Sequence, residues 1–159
     1  MAKLVDVGDV APDFVLPCTA GRSWSLSEAR ANSAVLIVFY SFDFAAPSVA
    51  LLSEVTARSG ELAELGVTVV GISVDSVFSH DAFAERLQLP FPLASDFNRK
   101  VCADYGVLAN RLAGFKYVSK SGLFLIDRDG TVRYRWVADG PWALPDLERV
   151  VQVARTLQH

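Results

Sequence analysis

The stretch AVLIVFYSFDFAAPS, residues 34–48, decides how the rest of the chain is read. Its first part, Val35, Leu36, Ile37, Val38 and Phe39, is a continuous apolar run rich in β-branched residues, the pattern of a strand covered on both faces. A segment of helical character begins near Ser48, so residues 40–47 make a strand-to-helix turn. Such a turn aims backbone N–H groups and the positive end of a helix dipole at one point, which suits an anion. The position that gains most from that field holds Ser48, flanked by Ala45, Ala46 and Pro47. No strongly reactive side chain stands there.

Downstream, Val49, Leu52, Val55, Leu62 and Leu65 recur at helical spacing and predict an amphipathic helix that stops at Gly66. Val67 to Ile72 reads as a second buried strand. Ser79 is the candidate cap of a following helix through Phe83 and Leu87, with Asp81 in its first turn. Pro90 and Pro92 surround a short extended piece, Asp96 caps a helix containing Val101, Cys102 and Tyr105, and Gly106 ends it. Asn110 to Lys120 is read as a loop able to fold over a neighbouring site. Leu123 to Ile126 and Val132 to Val137 form a hairpin through Asp129 and Gly130, and Leu144, Leu147, Val150, Val151, Ala154 and Leu157 make the stripe of a last helix.

Upstream, Val5 to Leu16 is an extended lead-in and Ser23 to Leu26 the return arm of a hairpin, with Ser27 the expected cap of a short helix. Alternating strands and helices with one late hairpin imply an α/β sandwich around a central mixed sheet, with residues 1–159 as a single domain.

Composition bounds the function. The chain is 52% hydrophobic and 21% charged, enough for one sizeable core, and its net charge of -3 provides no footprint for nucleic acid. No apolar run approaches the roughly 20 residues of a membrane span, and no N-terminal export segment is recognised, so a cytoplasmic protein with no membrane partner is expected. Cys18 and Cys102 are far apart, without CxxC spacing, and read as small buried hydrophobes; neither a metal nor a cofactor is expected.

The strings GDVAPDFVLP, VFYSFDF before a helix, GISVDSVFSHDAFAE, PFPLASDFNRKVCADYGV and GLFLIDRDGTVRY keep their order along nearly the whole chain. Together they resemble a peroxiredoxin, specifically the alkyl hydroperoxide reductase and thiol-specific antioxidant group. The resemblance implies a thioredoxin-like three-layer sandwich and a homodimer. It also implies a Pro-x-x-x-Thr-x-x-Cys pattern at the turn, which falls on Ser41, Ala45 and Ser48. The family's arginine before the FxID motif falls on Ser121. All four positions differ from the pattern.

A serine cannot stand in for the family's thiolate, because an un-ionised hydroxyl has no sulfenic acid and disulfide ladder through which to turn over. A hydrolytic role for Ser48 needs a base in reach, and the chain offers only His80, expected to be solvent-facing or capping, and His159. Three readings follow. The favoured one is a protein with a degenerate site that binds a small-molecule ligand at the Ser48 turn or a partner. The others are a thiol peroxidase or oxidoreductase using Cys18 or Cys102, and a different, non-redox enzyme in the same pocket. Arg111, Lys116 and Lys120 read first as solvated surface charges, with a replacement cation over the pocket as the alternative; Asp43 places a carboxylate beside the turn, and Trp24, Trp136 and Trp142 are read chiefly as packing.

Overall fold

In the computed structural model, which describes residues 4–158, the apolar run becomes a central strand flanked by others of its kind. Along the chain the elements are β1 (Val15–Cys18), β2 (Arg22–Ser25), α1 (Leu26–Arg30), β3 (Ala34–Phe39), α2 (Ala46–Glu64), β4 (Val67–Ser73) and α3 (Val77–Leu87). They continue with β5 (Leu93–Ser95), α4 (Lys100–Tyr105), β6 (Leu108–Leu112), β7 (Phe115–Ser119), β8 (Gly122–Ile126), β9 (Val132–Val137) and α5 (Leu147–Thr156). Seven strands form one sheet in the order β2-β1-β5-β4-β3-β8-β9. β3 runs parallel to β4 and antiparallel to β8, so the sheet is mixed, as the late hairpin required.

The alternation along β3 builds the three layers. Val35, Ile37 and Phe39 enter one core with Leu26 of α1 and with Val101, Cys102 and Tyr105 of α4. Leu36, Val38 and Tyr40 enter the other, against Leu51, Leu52 and Val55 of α2, Phe83 of α3, and Val150 and Val151 of α5. Every side chain of the run is fully buried, and each contributes about 1.5–3 kcal/mol of transfer free energy.

Gly71 on β4 permits a close approach between layers. A Cβ there would stand 2.6 Å from Leu93 Cδ2 and 3.4 Å from the Tyr40 ring.

Several local expectations are corrected. Residues 110–119 are not a loop; they belong to the β6–β7 hairpin, in which Leu112 pairs with Phe115, and Lys120 follows it. Ala113 and Gly114 both take positive φ, 50° and 82°, as the two-residue turn demands. The helix caps also move. Ser25, not Ser27, accepts from Glu28 N–H at 3.3 Å, because Ser25 is the residue in extended conformation. Ser76, not Ser79, accepts from Ser79 N–H at 3.3 Å, so α3 begins earlier than the serine chosen from sequence. Asp96 does cap, although Arg99 is the residue at the helix boundary: its carboxylate accepts from the amides of Val101 at 3.1 Å and Cys102 at 2.7 Å. Leu144 lies before α5 and is exposed, while Leu147, Val150, Val151 and Ala154 form the buried stripe.

Candidate functional site

The turn after β3 is held from two directions. Tyr40 N–H donates to the Ile72 carbonyl at 3.0 Å, which continues the pairing with β4 one residue past the strand. The chain then reverses through Phe44, a non-glycine residue at φ 67°, whose ring lies 5.0 Å from that of Phe83. Left-handed backbone at a bulky residue costs energy, and this aromatic contact helps hold it. Helix α2 starts at Ala46, earlier than the sequence implied, with Pro47 in its first turn. Its cap position is Ala45, which makes no side-chain cap bond.

Ser48 is therefore inside the first helical turn, and it is closed off. The residue is 1% exposed; its Oγ accepts from Phe42 N–H at 3.3 Å and lies 3.4 Å from Ser41 Oγ. The hydroxyl folds the turn back onto the helix rather than facing solvent.

Beneath the turn lies a buried polar network that the sequence reading did not anticipate. His80 is neither solvent-facing nor a cap: it is fully buried, with Nδ1 2.7 Å from Asp43 Oδ2 and Nε2 3.0 Å from the Ala94 carbonyl. Tyr40 O–H donates to Asp43 Oδ1 at 2.7 Å, and Asp75 accepts from Asp43 N–H at 2.8 Å and from Ser73 O–H at 2.6 Å. Burial is the main cause raising Asp75 above the usual carboxylate range, and burial together with Asp43 holds the Tyr40 phenol well above its ordinary value. A signal for His80 was present in the sequence. Positions 80, 83, 84 and 87 share one helical face, and Phe83 and Leu87 are apolar.

Ligand atoms of Asp43, Asp75 and His80 lie within 4.8 Å of one another, a spacing compatible with a metal ion. The detailed geometry favours hydrogen bonding. Two donors around a tetrahedral zinc stand about 3.4 Å apart, given metal–ligand bonds near 2.1 Å. The 2.7 Å between His80 Nδ1 and Asp43 Oδ2 instead matches a charge-assisted hydrogen bond. No buried side-chain polar atom among the described residues lacks a partner.

The open space begins on the far side of Ser41. A cavity of about 160 Å³ runs between Ser41 and Ser121 and is lined by Arg111, Lys120 and Asp139, with Leu112 and Pro141 among its apolar walls. The structure thus brings Ser41 and Ser121 to one cavity, while Ala45 and Ser48 do not line it. Of the three candidate cations, Arg111 and Lys120 reach this wall and Lys116 does not. Trp24 is core, and Trp142 is exposed.

Neither thiol is part of this site. Cys18 on β1 and Cys102 on α4 are buried and unpaired. Burial is the leading cause that pushes both thiols up, and Asp96 adds to it for Cys102, where the rise is large. A thiol with a raised pKa is a poor nucleophile at neutral pH.

Comparison with known proteins places this geometry. The AhpC/TSA family profile matches residues 7–135. A Coxiella burnetii protein carrying the name peroxiredoxin bcp is 34% identical over 134 residues, covering 83% of this chain and 88% of the relative. A peroxiredoxin of Thermoplasma volcanium is 29% identical over 161 residues, covering 97% and 75%. Among solved structures, the peroxidoxin BcpB of Mycobacterium tuberculosis superposes with a TM-score of 0.86 at 27% identity, over 98% of this chain and 99% of that one. The fold is thioredoxin-like, and the chain belongs to the AhpC/TSA family of peroxiredoxins.

Proposed function

We propose that this chain is a peroxiredoxin with a degenerate site, in which Ser48, Ala45, Ser41 and Ser121 stand where the family pattern has its cysteine, threonine, proline and arginine. In this reading it has no thiol peroxidase activity and works by binding. The observation that carries the reading is the group at the start of α2: a buried hydroxyl engaged with the Phe42 amide. A hydroxyl there has no general base and no redox ladder. The ligand site moves with it, from Ser48 to the adjoining cavity between Ser41 and Ser121.

The raised pKa values and burial of Cys18 and Cys102 argue against either acting as a substitute thiol. We further propose a homodimer in the cytoplasm. The dimer is supported by exposed aromatics, Phe44 in the turn and Phe115 with its ring 5.0 Å from Phe42, together with the exposed Phe97 and Tyr117. Among the described residues no helix is long and apolar enough to cross a membrane.

The deciding assay is turnover of hydrogen peroxide and of an organic hydroperoxide with a thiol reductant. The expected rate equals that of heat-treated protein, and clear turnover above that control overturns the reading.

A further inference from the structure

We infer that the cavity between Ser41 and Ser121 takes a small monocarboxylate, its anionic head toward Arg111 and Lys120 and its short chain against Leu112 and Pro141. This inference rests on the ligand-binding reading above and names the class of ligand.

Size sets the first limit. The cavity measures about 160 Å³, close to the roughly 150 Å³ of an apolar protein cavity that accepts benzene. A guest of about that size fits within it. Charge sets the second. Arg111 on β6 and Lys120 between β7 and β8 both line the wall, and neither takes part in any ion pair among the described residues. The one carboxylate in the lining is Asp139, which leaves the wall with a net positive charge. A concave wall with two unpaired cations concentrates the field on an anion.

Asp139 also limits the guest to a single negative charge. It comes from the segment after β9 and lies beyond ion-pair distance of both cations, so a second carboxylate on the guest shares the wall with a like charge. Ala109, Leu112, Ala138 and Pro141 supply the apolar remainder of the wall, which a hydrated inorganic anion leaves unused. Ser41 and Ser121 also line the cavity, and each carries a hydroxyl able to donate to a carboxylate oxygen.

The test uses the full chain and two probes of nearly equal shape, pentanoate and pentanamide, followed by amide NMR titration. Pentanoate is expected to give saturable shifts centred on Ser41, Arg111 and Ser121, with at least tenfold weaker binding of pentanamide. Arg111→Gln and Lys120→Gln are exposed changes that leave the fold intact. Each is expected to weaken pentanoate by about threefold to fivefold, as one exposed charge does, and to leave pentanamide unchanged. Equal binding of the two probes overturns the anionic class while the cavity remains a binding site. Saturable shifts centred elsewhere, or none with either probe, overturn the inference, and the peroxide assay decides the loss of peroxidase chemistry independently of both.

Discussion

His80 Nδ1 and Asp43 Oδ2 lie 2.7 Å apart with both side chains sealed from solvent, while His80 Nε2 faces the Ala94 carbonyl at 3.0 Å. A carbonyl cannot donate, so Nε2 carries a proton; the short contact at Nδ1 then needs a second one between imidazole and carboxylate. The pair ties the turn after β3 to α3 and, through Ala94, to β5. Removing His80 leaves Asp43 Oδ2 buried without its partner and only the Tyr40 hydroxyl on the other oxygen, so His80→Ala is expected to cost about 3–5 kcal/mol in denaturant unfolding. The Asp43→Ala, His80→Ala double variant is expected to lose less than the sum of the two singles by at least about 1 kcal/mol. Additive losses would show that the two side chains act separately.

Asp75 and Asp127 are predicted to shape the acid side of the stability curve in opposite directions. Burial raises the folded pKa of Asp75 despite its bonds from Ser73 and the Asp43 amide. The stability linked to its protonated form is therefore present below the unfolded value, about 3.9, and is lost as pH rises through the folded value. Asp75→Asn keeps an acceptor and removes the charge, so it is expected to stabilise the protein at neutral pH, by an amount that shrinks as pH falls toward 4.

Burial pushes Asp127 up as well, but the Arg133 side chain and the Thr131 and Asp129 amides outweigh it and leave its pKa lowered. Its contribution is present above the unfolded pKa and fades as pH falls through the folded one. Asp127→Asn is expected to cost about 1–2 kcal/mol at neutral pH, and less in acid, as measured by urea unfolding across pH.

The difference between what was legible in the sequence and what was not follows from the range of the forces involved. β3, β4 and β8 announce themselves because burial on both faces imposes a continuous apolar run, β9 because the Asp129–Gly130 turn follows β8, and α5 because burial on one face imposes a stripe. The β6–β7 hairpin did not, since Arg111, Lys116 and Tyr117 are exposed and its turn depends on Ala113 accepting a positive φ that alanine seldom adopts. At the site, Ser41 and Ser121 were marked by departure from a family pattern, whereas the Tyr40–Asp43–His80 network joins residues up to 40 positions apart. Pairing of that kind leaves only a faint local trace, here a histidine on an apolar helical face.

Gly71 should resist substitution for a steric reason rather than a conformational one. A Cβ placed 2.6 Å from Leu93 Cδ2 must displace a side chain with no exposed surface, and the Tyr40 ring at 3.4 Å blocks relaxation on the other side. Gly71→Ala is expected to cost about 1–3 kcal/mol, the usual range for overpacking a filled core. Because Tyr40 also anchors Asp43, the variant should perturb the amide resonances of residues 41–45; a loss of stability without that perturbation would place the strain at Leu93 alone.

Phe115 and its neighbours test the proposed dimer. Phe115→Glu replaces an exposed aromatic on β7 with a charge and gives up its edge-on contact with Phe42, so it is expected to cost the monomer about 0.5–1.5 kcal/mol and leave it folded. Sedimentation velocity of the natural sequence is expected to show a dimer that the variant shifts toward monomer. A natural chain that sediments as a monomer at every concentration overturns the proposal.

Restoring the family pattern asks whether the scaffold still supports its chemistry. In Ser48→Cys the new sulfur occupies a position in the first turn of α2, where the Phe42 N–H and the helix dipole favour a thiolate. That change alone leaves a buried thiol without donors for the departing peroxide oxygen, so slow reaction is expected. Adding Ala45→Thr and Ser121→Arg supplies a hydroxyl at the helix cap and a cation beside the cavity. Since one well-placed donor in a preorganised site is worth about 100-fold or more, the triple variant is expected to exceed the single by at least that factor in peroxide consumption. If single and triple variants react alike, then the cavity between Ser41 and Ser121 no longer faces position 48 closely enough to serve it. That result would fit the 1% exposure of Ser48, and it would separate the cavity from position 48.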